Sequence, residues 1–266
     1  MVGARRGRLA AGVVTLQDGT RNDYGAVVIF ISTGEMDLTG KVAIVTGPAK
    51  GIGRATVELL LRKGAVVVGW GRTASESLVH ERFQFYECDV RDEHAVAEAF
   101  TDTQRKVGLE IHVLVNNAGV GIFGPIDGFA SADWHAMFDT NVHGLFYCTR
   151  AVLPQMKKQH AGHIVNVASL AATAGTASLA GYCATKYAVR GFSDALFKEV
   201  RPDGIRVTCI MPGSVETNFN GGHPGAEPDP YKMQPEDIAA AIVHALEAPA
   251  ATMISEIQLR PAQVKK

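Results

Sequence analysis

Residues 46–53 read TGPAKGIG, directly after the apolar run Val42-Ala43-Ile44-Val45. The octet opens a stretch, Ile52 to Lys63, whose apolar residues recur at three- and four-residue spacing, which predicts a helix. A glycine-rich turn between a strand and a helix suits a phosphate. The glycines permit a tight turn, close approach of backbone to a pyrophosphate, and close packing of the helix, whose free N–H groups and dipole favour the anion. Gly47, Gly51 and Gly53 stand where those tasks fall. Spacing excludes the rival Walker loop, because the fifth residue after Gly47 is Ile52 and no Gly-Lys-Ser/Thr follows. Three glycines alone mean little in a chain that holds 28. Their place between strand and helix carries the reading.

The same alternation continues along the chain. Val42 to Thr46, Ala65 to Trp70, Phe83 to Cys88, Ile111 to Asn116, His163 to Ala168, Arg206 to Met211 and Met253 to Gln258 read as strands. Most are rich in Val and Ile without strict alternation, as strands buried on both faces are. Between them, besides the first helix, Asp92 to Val107, Ala132 to Asn141, Leu145 to Gln159, Tyr182 to Val200 and Pro235 to Leu246 show helical spacing. Strands joined by helical crossovers imply right-handed βαβ units. The expected fold is a Rossmann-type, doubly wound parallel sheet of about seven strands with helices on both faces, a three-layer α/β/α domain. That domain is expected over residues 37–266. Residues 1–36, with an early Arg cluster and one short apolar run, Ala26 to Ser32, are expected to be a poorly ordered extension. The run is far shorter than the roughly 20 residues of a membrane span.

Composition narrows the function. A net charge of -1, with basic residues clustered only at Arg5-Arg6-Gly7-Arg8, gives nucleic-acid binding little support. Cys88, Cys148, Cys183 and Cys209 form no CxxC, and no HExxH occurs, so neither a disulfide framework nor a metal site is suggested. A reducing, cytoplasmic setting fits, with no membrane partner.

Tyr182 and Lys186 are four apart on a predicted helix and share a face. A carbonyl that receives hydride develops negative charge on oxygen and needs a proton there. A tyrosine with an ordinary pKa of about 10 can supply it, helped by a cation that stabilises its phenolate. Ser169 closes a predicted strand, at the carboxyl edge where open parallel sheets bind ligands.

The spacing of the opening octet, TGxxxGxG, differs from the general GxGxxG fingerprint. In it the chain resembles the short-chain dehydrogenase/reductase family, single-domain branch, and the family's other motifs follow in order. Asn116-Asn117-Ala118-Gly119 matches NNAG, Asp89-Val90 the adenine-contacting position, and Pro212-Gly213 with Val215 and Thr217 the PGxxxT segment at the nicotinamide end. Asn141, Ser169, Tyr182 and Lys186 match the catalytic tetrad. The resemblance implies that Tyr182 is the general acid or base and that Lys186 lowers its pKa and bonds the nicotinamide ribose. It further implies that Ser169 bonds the carbonyl oxygen and that Asn141 holds a water linking Lys186 to solvent. It gives Gly47, Lys50, Gly51, Ile52 and Gly53 to the pyrophosphate seat, and Asn117, Ala118 and Gly119 to the cofactor's flank. It also implies a homodimer or homotetramer, formed through the helix of Tyr182 and the one before it.

Where NAD-selecting members carry an acid after the second strand, this chain has Gly71, then Arg72; Lys50 adds a second cation. Arg and Lys suit a 2′-phosphate, so NADP(H) is favoured and NAD(H) remains possible. Expected pocket residues are Gly121 to Phe123, Leu170 to Thr176, Cys183 and Ser214-Val215, mostly small or apolar, which points to an uncharged carbonyl or secondary alcohol. The loop Asn218 to Met233, with His223 and Lys232, reads as a lid. The alternatives are an NAD-dependent alcohol dehydrogenase of the same fold and a dinucleotide-sensing protein without turnover. Pro48, where a small residue is usual, has no explanation in the sequence.

Overall fold

The computed structural model describes residues 37–108, 110–217, 219 and 229–263; the expected extension 1–36, Asn218 and His223 lie outside these. Seven strands form one parallel sheet: β1 (Val42–Thr46), β2 (Val66–Gly71), β3 (Phe83–Glu87), β4 (Val113–Asn116), β5 (Gly162–Val167), β6 (Ile205–Pro212) and β7 (Glu256–Leu259). Their order is β3-β2-β1-β4-β5-β6-β7. The chain therefore winds one way from β1 to β3 and the other way from β4, and the reversal between β1 and β4 leaves a crevice at their carboxyl ends.

The helices are α1 (Gly51–Arg62), α2 (Glu93–Val107), α3 (Ser131–Phe138), α4 (Gly144–Gln159), α5 (Ala180–Val200) and α6 (Pro235–Glu247). Strand residues alternate between two cores. Ala43, Val45, Val67, Val115, Val165 and Ile210 pack with Val57 and Leu60 of α1 and Ile238 and Ile242 of α6. Ile44, Val68, Trp70, Leu114, Ile164 and Val207 face Val96 of α2, Val152 and Met156 of α4 and Leu196 of α5. These are the two helical layers. All four cysteines are buried and unpaired.

Element ends shift by one to three residues from the sequence reading, most at two places. The helices expected over 132–141 and 145–159 are joined by a π-turn, Asp139–His143, that contains Asn141. β7 begins at Glu256 rather than Met253, because Ile254 O accepts from Thr208 Oγ1 and Ser255 O from Cys209 N before the ladder starts. On α5, Val189 and Leu196 are core residues, whereas Tyr187 is exposed.

Candidate active site

The crevice is a cleft of about 1380 Å³ that runs from the glycine loop to α5. At one end Gly47 and Gly51 adopt left-handed backbone, with φ of 67° and 56°, which turns the chain sharply into α1. Gly53 lies behind the cleft wall, and a Cβ there would stand 2.1 Å from Gly47 O. Absence of a side chain is what lets α1 abut the loop. Lys50 caps α1 in extended conformation and makes no side-chain capping bond, so it leaves the first N–H groups of the helix uncapped.

The second motif is clipped to the first. Thr46 Oγ1 accepts from Asn117 N and Ala118 N, both at 2.9 Å, and Asn117 Nδ2 donates to Thr46 O and Gly47 O at 2.9 and 3.2 Å. Strand ends β1 and β4 thus hold the glycine loop and the 117–119 segment as one wall. Gly47, Lys50, Gly51, Ile52, Arg72, Asp89, Val90, Asn117, Ala118, Gly119, Pro212, Gly213, Val215 and Thr217 all line the cleft. Asp89 is bonded by Arg91, and that bond, with Arg72 adding to it, holds the carboxyl below the usual carboxylate range. Trp70, Cys88 and Arg91 line the same end without a motif to announce them.

At the other end Ser169, Tyr182 and Lys186 meet. Ser169 follows β5 and caps a short 3₁₀ turn, its Oγ accepting from Ala171 N at 3.1 Å. Tyr182 and Lys186 lie on one face of α5, with Nζ 5.7 Å from the ring centroid and donating to Val167 O at 3.0 Å. Burial pushes the Tyr182 hydroxyl up to about 12, against a hydrogen bond from Ser169 that favours the phenolate. Burial also pulls Lys186 down to about 8.

Asn141 does not line the cleft. Its Nδ2 donates to Val120 O at 2.8 Å and Thr185 Oγ1 at 3.0 Å, and its Oδ1 accepts from Val120 N at 2.8 Å. Both donors of its amide are thus spent on the scaffold. Thr185 passes the contact on, donating to Tyr182 O at 2.8 Å.

Of the expected pocket residues, Phe123, Leu170, Ala171, Thr173, Thr176 and Ser214 line the cleft, whereas Gly121 and Cys183 are buried behind it. Phe123 and Phe219 flank Tyr182, with ring centroids 5.5 and 5.9 Å away. Leu179, Tyr231, Arg260 and Gln263 also contribute, and Lys232 does so with Glu216 and Asp229 3.8 and 3.7 Å from its Nζ. Among the described residues no cluster of His, Cys, Asp and Glu could hold a metal ion, and no helix is long and apolar enough to cross a membrane.

These residues fit a dinucleotide: a glycine cradle at a helix start, two basic side chains beyond it, and a Tyr–Ser–Lys group at the far end of one continuous cleft. The family model for short chain dehydrogenases matches residues 41–226. The chain belongs to the short-chain dehydrogenase family. An uncharacterized oxidoreductase of Staphylococcus aureus (strain USA300) is 35% identical over 230 residues, 84% of this chain and 98% of that protein. Among solved structures, the alcohol dehydrogenase of the archaeon Thermococcus sibiricus, complexed with 5-hydroxy-NADP, superposes with a TM-score of 0.78 at 27% identity. It covers 85% of this chain and 99% of its own. Serine dehydrogenase from Escherichia coli gives 0.76 at 30% identity, over 85% of this chain and all of its own. The protein is therefore a short-chain dehydrogenase-type oxidoreductase.

Proposed function

We propose that this oxidoreductase moves hydride between NADP(H) and an uncharged carbonyl or secondary alcohol, with Tyr182 giving the proton in reduction and taking it in oxidation. The observation that carries the reading is the meeting of Ser169, Tyr182 and Lys186 in an apolar-walled part of the same cleft as the glycine loop. When bound, the nicotinamide supplies or accepts the hydride. Ser169 Oγ accepts from Ala171 N, and the hydrogen it otherwise gives to the Tyr182 oxygen turns to the substrate oxygen. Tyr182 keeps its proton through the neutral range, and Lys186 stabilises the phenolate left when that proton moves. Asn141 acts through Val120 and Thr185 as a positioning residue. A panel of ketones and aldehydes, with NADPH consumption followed and NADH alongside, tests the reading; cofactor binding without turnover on any substrate would favour the sensing alternative.

The pH profile follows from the same pair. Below pH 8 Lys186 is cationic and Tyr182 protonated, which is the form that reduces a carbonyl. As pH rises through about 8 the ammonium is lost while Tyr182 still holds its proton, so the transition-state phenolate loses its partner. The kcat/KM for reduction, which reports groups of the free enzyme, is expected to be level below that pH and to fall by about tenfold per unit above it. A profile level to pH 10 would contradict the role of Lys186.

The NADP(H) preference rests on Gly71, which offers no carboxylate to repel a phosphate, and on Arg72 and Lys50 lining the same end of the cleft. Hydrogen bonds to charged groups contribute about 1.5–3 kcal/mol. Arg72→Ala is therefore expected to weaken NADPH binding by about 10- to 100-fold and NADH binding by no more than about twofold. Equal losses for the two cofactors, read by fluorescence titration, would remove Arg72 from the 2′-phosphate.

A further inference from the structure

Pro48 is buried, and its ring lies across the inner face of β2. A Cβ built at Gly69 would stand 2.7 Å from Pro48 Cγ and 3.0 Å from both Pro48 Cβ and Phe83 Cζ. One at Gly71 would stand 3.0 Å from Pro48 Cδ and 3.7 Å from Phe85 Cε2. Ordinary carbon contacts lie at about 3.5–4.0 Å, so bare backbone is what fits beneath the ring. Residues two apart on a strand share a face, and Trp70 between them points the other way, its Nε1 donating to Thr103 Oγ1 at 3.0 Å. The proline ring cannot rotate aside, because it is part of the backbone, and it follows Gly47, whose left-handed turn shapes the phosphate loop. Pro48 and Gly71 are thus two halves of one packing contact.

We propose that Pro48 is a cofactor-specificity residue: its ring fills the space a side chain at position 71 requires, which keeps a carboxylate from the end of β2. The corner beside the adenosine ribose is thereby left to Lys50 and Arg72. This inference rests on the NADP(H) reading above and moves the selectivity from one position to a pair. An acidic residue introduced at 71 sets its Cβ 3.0 Å from Pro48 Cδ, so the proline ring has to give by a few tenths of an ångström to admit it.

A double-mutant cycle tests it. The wild-type protein, Pro48→Ala, Gly71→Asp and the double variant are titrated with NADH and NADPH, and their thermal unfolding is followed. Gly71→Asp alone is expected to gain no NADH affinity, whereas the double variant binds NADH about tenfold more tightly than Gly71→Asp, a coupling typical of residues in contact. A Gly71→Asp protein that fails to fold beside a double variant that folds supports the same conflict of space. A single variant that gains as much NADH affinity as the double, or a double variant that folds and binds no better than the single, overturns the proposal. Gly69→Ala provides a readout free of cofactor: it lowers the melting temperature, and adding Pro48→Ala restores part of the loss. No restoration also counts against the contact. Wild-type protein that binds NADH more tightly than NADPH would sink the NADP(H) reading while leaving the coupling measurable; additive effects in the cycle would sink the coupling and leave that reading standing.

Discussion

Replacement of Tyr182 by Phe is expected to lower carbonyl reduction by about a thousandfold, within the range that a positioned general acid contributes. That is about 4 kcal/mol of transition-state stabilisation. The substitution removes one oxygen and leaves the ring, which keeps its contacts with Phe123 and Phe219 and its place beneath Lys186 Nζ. The fold and the cofactor cradle, which Tyr182 Oη does not help to build, are expected to persist, so NADPH binds with about the same Kd and kcat carries the loss. Single-turnover kinetics with parallel fluorescence titration separates the two. A variant that retains full turnover would refute the proton role; one that loses NADPH binding and turnover together would make Tyr182 a binding residue instead. The loss is expected to exceed that from Ser169→Ala, because serine strengthens a hydrogen bond to an oxygen whereas tyrosine transfers the proton.

The parts of this site that were legible beforehand are those whose cause is local. Strand, glycine turn and helix follow one another within Val42 to Lys63, so spacing alone distinguishes the loop from a Walker loop. Tyr182 and Lys186 were readable as a pair because a helix sets four-residue neighbours on one face. What depended on long-range contacts was not legible. Asn141 could be recognised by type, yet its amide is occupied by Val120, 21 residues away, and Thr185, 44 away. The π-turn leaves helical spacing on both sides nearly intact, so Asp139 to Asn141 read as the end of one helix and only the residues after them as a gap. Pro48 was inexplicable within its own octet because its partners, Gly69 and Gly71, sit on the neighbouring strand. Arg260 and Gln263 line the cleft from the segment that follows β7. Lys232, which the sequence places on a lid loop, stands beside Glu216 and Asp229.

Gly53→Ala is expected to damage both stability and cofactor binding, more than the same change at Gly51. At Gly53 the added Cβ would meet Gly47 O at 2.1 Å and Asn117 Nδ2 at 2.4 Å. Neither atom can give way cheaply, since one is backbone of the phosphate loop and the other is the amide that holds Thr46 O and Gly47 O. Relief requires α1 to retreat by about 1 Å, at an overpacking cost of about 1–3 kcal/mol. The strained Asn117 bonds add about 1 kcal/mol each. A total of about 3–5 kcal/mol corresponds to a drop in Tm of about 6–20 °C for a chain of this size. The retreat also withdraws the helix N-terminus from the pyrophosphate, and NADPH affinity is expected to fall by about 100-fold, the equivalent of about 2.8 kcal/mol. At Gly51 the clash is with the side chain of Thr217, whose Cγ2 would lie 3.2 Å from the new Cβ and can rotate, so the main penalty is the left-handed backbone. That penalty is about 1–2 kcal/mol. The ordering of the two Tm values therefore reports which atoms the loop is packed against: a Gly53→Ala protein that melts above Gly51→Ala would mean that α1 can move freely against the loop, and the close helix approach would no longer explain why a glycine stands there.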